Sequence, residues 1–344
     1  MKQFLTLLFL PLALLTGVVF QGEKQAAGAT PEQAKTPVLP VQKSPEQPEE
    51  LGKVRWLRDY DAGKTQAQKS GKPLLLLFQE VPGCANCTRY GNNTLSHPLI
   101  VEAIETCFTP VCIYNNKGGK DAEILRRFGE PAWNNPVVRI LRPDDERDLV
   151  LRMTNFNSSS QLVNGMRRAL EWAATPVPPY FELLEEELAA REAGLQTATF
   201  SMYCFWNGEA AFGSLPGVIE TEPGFQGGKE VVKVQFDPAI TSRAELERQT
   251  AAQNFQSCAK NEGFRPDRAP KYYLAQTTYR FIPMTSLQAA RANSLVGKNR
   301  SPEALLSPRQ LELHKKIQES PAKNRQNMIG RKDLAQAWEE MEEG

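Results

Sequence analysis

Cysteines carry the most readable chemistry in this sequence. Cys84-Ala-Asn-Cys87 follows the apolar run Pro73–Gln79 and opens a segment with helical character. A C-x-x-C pair at a helix start places its first sulfur at the positive end of the helix, which lowers the thiol pKa and favours attack on a disulfide. The second sulfur is held close enough to resolve the mixed disulfide. Further along, Tyr203-Cys204-Phe205-Trp206 leads into Glu209, Ala210, Ala211 and Phe212. A cysteine backed by two aromatic rings and followed by helix formers suits a thiolate stabilised by unpaired N–H groups. The competing reading of Cys204 is a small buried hydrophobe in an aromatic cluster.

The elements that must position the first pair follow a recognisable order. Apolar periodicity predicts a helix over Asp61–Ser70, a strand over Pro73–Gln79 and a helix opening at Cys84–Cys87. Next come a strand over Phe108–Tyr114, a helix around Asp121–Phe128, strands at Val137–Leu141 and Leu149–Met153, and a closing helix near Ser159–Ala173. From Leu51 to Thr175 this order resembles the thioredoxin-like fold. The resemblance implies that Pro136, after Asn135, is the cis-proline facing the active-site pair, a geometry almost confined to X–Pro bonds. Val81-Pro82-Gly83 before Cys84 is similar to a thioredoxin-like family in which Val-Pro-Gly leads into selenocysteine or cysteine. With Cys107 and Cys112 the pair comes near zinc-site spacing, but Cys112 sits inside an apolar strand, so core cysteines are the favoured reading and no metal is expected. His97 and His314 have no flanking ligands at metal spacing and read as ordinary polar residues.

In the second half, a strand over Thr197–Tyr203 runs into Cys204 and a helix follows it. Strands near Val218–Glu222 and Glu230–Phe236 come next, then a helix from Ser242 to Gln253 with Glu245 at capping-box spacing. Tyr203-Cys-Phe-Trp206, Leu215-Pro-Gly-Val-Ile219 and Pro223-Gly-Phe-Gln-Gly-Gly-Lys-Glu-Val-Val232 resemble peptide methionine sulfoxide reductase of the A type, from about Leu195 to Tyr273. That family has an α/β roll. The resemblance implies Cys204 as nucleophile, Phe205 and Trp206 as the pocket for the substrate methyl, Glu230 as the acid, and Asp267 and Tyr272 as further site residues. It also implies the S epimer of the sulfoxide as substrate. The chemistry is coherent, because a sulfoxide oxygen leaves only when protonated, and attack by a thiolate yields methionine and a cysteine sulfenic acid. Tyr203 and Asn207 stand where the family carries glycines, and no looped segment separates Gly228 from Glu230. No cysteine follows Cys258, which is either the local resolving cysteine or a buried one.

Composition bounds the rest. The chain has 344 residues, 41% of them apolar, and a net charge of +1 with no basic–aromatic run, which excludes a nucleic-acid groove. Residues 1–20 read as a signal peptide or N-terminal anchor: Met1-Lys2-Gln3 precedes an apolar run to Phe20. Residues 21–50, rich in Gln, Lys, Glu, Pro and Ala, read as a disordered linker. Then follow a thioredoxin-like domain (51–175), a linker helix (176–194), a sulfoxide reductase-like domain (195–320) and a charged tail (321–344) expected as a surface helix or disorder. The fold class is α/β (α+β). The expected function is an exported enzyme reducing methionine sulfoxide, free or in proteins. It needs no cofactor: the Cys84–Cys87 dithiol supplies electrons and an external thiol–disulfide reductant recharges it. The alternatives are a general thiol–disulfide oxidoreductase with a degenerate second domain, and a non-enzymatic module binding Met-rich partners.

Overall fold

A computed structural model describes residues 47–83, 85–154, 158–259, 263–319, 325–331 and 333–343. The expected leader and most of the linker lie outside the described residues, as does Cys84. Among the described residues no helix is long and apolar enough to cross a membrane.

The first half is built on one strand. α1 (Tyr60–Ser70) starts at Asp59, whose carboxylate accepts the Ala62 N–H at 2.9 Å. β1 (Leu74–Gln79) is buried along its whole length. It sends Leu75 and Leu77 into one core, and Leu74, Leu76 and Phe78 into another. This is the continuous apolar run of a central strand covered on both faces. α2 (Ala85–Asn93) and α3 (Pro98–Cys107) lead to β2 (Thr109–Tyr114), which pairs parallel to β1; α4 (Lys120–Arg127) leads to β3 (Val137–Leu141), which pairs antiparallel on the other side. The segment expected as a strand at Leu149–Met153 makes only isolated bridges, Leu141 to Asp148 and Val138 to Met153. It uses more residues than β3 between those bridges and so bulges, leaving Leu151 91% exposed. α5 (Ser159–Trp172) closes this half, and α6 (Tyr180–Ala193) packs on it.

The second half is an antiparallel sheet in the order β7-β4-β6-β5-β8. β4 (Gln196–Ser201) runs into α7 (Phe205–Phe212), followed by β5 (Val218–Gln226) and β6 (Lys229–Phe236). Gly227 and Gly228 alone join these strands, at φ of 57° and 77°. Positive φ at both central residues is the two-residue hairpin turn that matches strand twist, and it needs glycine or asparagine. α8 (Arg243–Gln249) is capped by Ser242 and leads to the short β7 (Gln256–Ser257) and β8 (Arg265–Pro266). α9 (Tyr272–Ala275), α10 (Ser286–Gly297), α11 (Pro308–Glu319) and α12 (Leu334–Glu343) complete the chain.

Two sequence expectations change here. Glu49–Leu51 already forms a 3-10 turn with Glu50 and Leu51 buried, because Gly91 of α2 lets that backbone approach closely. Within the tail, α12 is a helix that docks one face on the protein. Ala337 and Trp338 are buried, the Arg309 guanidinium lies 4.7 Å from the Trp338 ring centre, and Leu334 packs against the core of the first half. The tail's high charge hid this one apolar stripe.

A carboxylate ties the halves together. Glu102 of α3, 5% exposed, accepts the Ser307 hydroxyl at 2.6 Å and the Arg309 N–H at 2.8 Å, capping α11 from across the chain. Glu102→Ala would strand both donors in a buried place, at a cost of about 1–3 kcal/mol. We expect a lower urea midpoint for Glu102→Ala than for wild type, with Glu102→Gln between them.

Candidate active site

The thioredoxin-like face gathers the predicted cysteine and proline. After β1 the chain passes a cis Val81–Pro82 bond and Gly83, where a side chain would collide with the Glu80 carbonyl and the Cys87 Cβ. Cys87 is fully buried in the first turn of α2, and its thiol donates to Asn135 Oδ1 at 2.8 Å. The Asn135–Pro136 bond is cis. The loop that presents it is anchored from below: the Asn115 amide donates to the Asn134 carbonyl at 3.1 Å, and the buried Glu130 carboxylate accepts Arg139 Nε at 2.8 Å. Asn135 is a contact the sequence could have offered, since it directly precedes the proline and meets Cys87. Cys112 stays in the core of β2, where burial pushes its thiol up to about 12, and burial likewise raises Cys107. Burial lowers His97 to about 4, and His314 stacks on Tyr279 while sharing a 2.8 Å hydrogen bond with Thr278, so both histidines have structural settings.

The second site is set by strand register. Ser201 pairs with Val231, and the Met202 N–H donates to the Glu230 carbonyl, so β4 delivers Cys204 beside the start of β6. Cys204 occupies the N-cap position of α7. Glu230 lies an even number of positions from Val232, Val234 and Phe236, which form the core under α7, and therefore faces the same way. Its carboxylate accepts the Phe205 N–H at 2.9 Å, filling one of the donors left open at a helix start. Around the cysteine the rings form a wall. Phe205 lies 5.4 Å from Phe225 and 5.7 Å from Trp206, and Trp206 stacks on Tyr272 at 4.0 Å with planes 12° apart. Tyr203 is 99% exposed beside it.

Other predicted residues fall at different distances. Asp267 lies at the end of β8, its N–H bonded to the Pro223 carbonyl and its carboxylate accepting the Ala269 N–H at 3.0 Å. Cys258 lies on the far side of β4 from Glu230, its N–H donating to the Thr199 carbonyl at 2.8 Å. From Thr199 to Ser201 the strand advances ~7 Å, and Cys204 lies further along. The register thus sets Cys258 beside Thr199, five residues before Cys204 and on the edge of β4 away from β6. Tyr273 was missed beside Tyr272. Its hydroxyl donates to Asn207 Oδ1, and its pKa is raised by burial and then by the neighbouring Cys204 and Tyr272. The two tyrosine rings meet edge to face at 5.5 Å, Tyr272 turned to Trp206 and Tyr273 offering its hydroxyl to Asn207. Behind them Glu209 of α7 and Lys271 form a buried ion pair at 2.8 Å.

Residues 55–143 match a family model described as thioredoxin-like. Peptide methionine sulfoxide reductase A5 of Oryza sativa subsp. japonica is 39% identical over 71 residues, covering 17% of this chain and 28% of that protein. Peptide methionine sulfoxide reductase MsrA 2 of Rhizobium meliloti is 43% identical over 74 residues, covering 17% of this chain and 37% of that protein. The chain joins a thioredoxin-like domain to a reductase-like one. The solution structure of a thioredoxin from Thermus thermophilus is 20% identical, covering 33% of this chain and 85% of that one at a TM-score of 0.30. The chain thus spans about a third of the length of those two curated relatives.

Glu230→Ala would leave the Phe205 N–H without its acceptor. We expect a loss of about 0.5–2 kcal/mol, the range for a missing helix cap, read as a urea midpoint. Glu230→Gln, which still offers an oxygen, should keep most of it.

Proposed function

We propose that this protein reduces methionine S-sulfoxide to methionine at Cys204, drawing electrons from the Cys84–Cys87 dithiol. The observation that carries the reading is a carboxylate bonded to the residue after Cys204, together with a run of aromatic rings that starts at that same residue. Glu230 sits on the N–H that follows Cys204, and the two residues after that cysteine carry the rings: Phe205 lies against Trp206, and Trp206 stacks on Tyr272.

The Cys204 thiolate attacks the sulfoxide sulfur and Glu230 delivers the proton that the oxygen needs. With that one proton the oxygen passes from the substrate sulfur to Cys204, which is left as a sulfenic acid while the S–O bond breaks and methionine leaves reduced. Desolvated rings favour the apolar methyl, and the Tyr273 hydroxyl, raised by burial and by Cys204, stays protonated as a donor at neutral pH. A thiolate at Cys84 then displaces water from the sulfenic acid, forming a mixed disulfide. Cys87 attacks that bond, restoring the Cys204 thiol and leaving Cys84–Cys87 oxidised for an external thiol reductant to recharge. The register that puts Cys258 beyond β4 favours this route over a Cys204–Cys258 bridge. A donor in the same chain acts at an effective concentration of order millimolar for a short linker. The reading includes export directed by the Met1–Phe20 segment, cleaved or kept as a membrane tether.

The deciding experiment is turnover of N-acetylmethionine sulfoxide with dithiothreitol. Wild type should be active and Cys204→Ser inactive. No turnover together with reduction of insulin disulfides would replace this reading with a general thiol–disulfide oxidoreductase, and neither activity would leave a binding module for Met-rich partners.

Glu230→Gln should slow sulfoxide reduction about 10²–10⁴-fold, the span for a lost general acid, while alkylation of Cys204 by iodoacetamide proceeds near the wild-type rate. A near-normal turnover would remove Glu230 from the mechanism. Cys84→Ser should abolish turnover driven by a disulfide-recycling system yet spare one stoichiometric reduction by the prereduced protein, because the two sulfurs serve separate steps.

A further inference from the structure

Glu209 lies in the middle of the helix that starts at Cys204, and it is fully buried. A carboxylate in such a place is costly unless every oxygen is occupied. Here Lys271 reaches both: its Nζ donates to Oε1 at 2.8 Å and its backbone N–H to Oε2 at 2.7 Å, and the Thr221 hydroxyl adds a donor to Oε1 at 3.5 Å. The ammonium also donates to the Thr221 carbonyl of β5 at 2.5 Å. Lys271 is buried too, and its backbone is left-handed, with φ of 56°. A lysine rarely adopts that conformation, and here the two-point grip of Glu209 holds it.

What Lys271 introduces is α9. The next two residues are Tyr272, stacked on Trp206, and Tyr273, whose hydroxyl reaches Asn207. Trp206, Asn207 and Glu209 belong to the same helix as each other, so three contacts join α7 to α9, and the deepest is the ion pair.

We infer that the Glu209–Lys271 pair is a positioning device for substrate recognition: it fixes the left-handed entry to α9, and so sets how Tyr272 stacks on Trp206 and where Tyr273 meets Asn207, on the helix that Cys204 caps. The inference rests on the sulfoxide-reductase reading above. Neither residue touches the reacting sulfur. Their effect is on the placement of the rings that would receive the substrate methyl, so it falls on binding more than on the chemical step.

The test replaces both charges at once, in Glu209→Gln with Lys271→Met, so that no unpaired charge is left buried. The expected result is a folded protein by near-UV circular dichroism, with iodoacetamide alkylating Cys204 at the wild-type rate. Its KM for N-acetylmethionine sulfoxide should rise about tenfold with kcat changed by less than about threefold, the signature of lost binding. Lys271→Arg, which keeps the charge and the backbone bond, should recover most of the affinity. An unchanged KM in the folded double variant, a Lys271→Arg protein as impaired as the double variant, or a double variant that does not fold would each overturn the inference, the last by making the pair a stability element alone. Wild-type protein that neither turns over the sulfoxide nor has Cys204 protected by it from iodoacetamide would overturn the functional reading itself, which is a separate outcome.

Discussion

The hydrogen bond from the Phe205 N–H to Glu230 joins the two elements on which the reductase-like site depends. A helix start leaves donors open, and a strand that ends in a hairpin leaves its last side chains near solvent. Bringing one to the other satisfies the helix and holds a carboxylate beside Cys204 without a loop devoted to that purpose. The rest of the site is hung on α7: Trp206 carries the stack with Tyr272, Asn207 receives Tyr273, and Glu209 anchors Lys271. Shifting the β4–β6 register would therefore disturb Cys204, Glu230 and the aromatic rings together.

The thioredoxin-like half solves a similar problem differently. Its dithiol helix is pressed against the Glu49–Leu51 turn through Gly91, and its cis-proline loop is held by buried hydrogen bonds from Asn115 and Arg139. The Asn135 amide then accepts the Cys87 thiol. The bond to Asn135 is one that a reduced Cys87 thiol can make and a disulfide sulfur cannot.

Much of this was legible in the sequence because the informative signals were local. The all-apolar Leu74–Phe78 run marks a central strand, Asn135-Pro136 falls where a cis bond was expected, and the alternation Glu230, Val232, Val234, Phe236 points the acid at the helix. What escaped was set by long-range partners. Glu209 reads as an ordinary helical glutamate and Lys271 as a solvated lysine until the fold places them in contact. Tyr272 and Tyr273 cannot be ranked until one finds Trp206. Cys258 is near Cys204 in sequence, yet strand pairing carries it to the other side of β4. The charged tail concealed Ala337 and Trp338, since a narrow apolar stripe is enough to dock a short helix.

The Gly227-Gly228 hairpin bears on how this protein tolerates insertion. The face on which Glu230 lies is decided by its even spacing from Val232, not by the turn before it. Extra residues placed between the glycines would lengthen the tip of the hairpin outward and leave the carboxylate aimed at α7. One residue added or removed between Glu230 and Val232 would turn it to the opposite face of the sheet. The hairpin tip is therefore a position where a new loop can be grafted over the site, while the short step from Glu230 to Val232 admits no change in length.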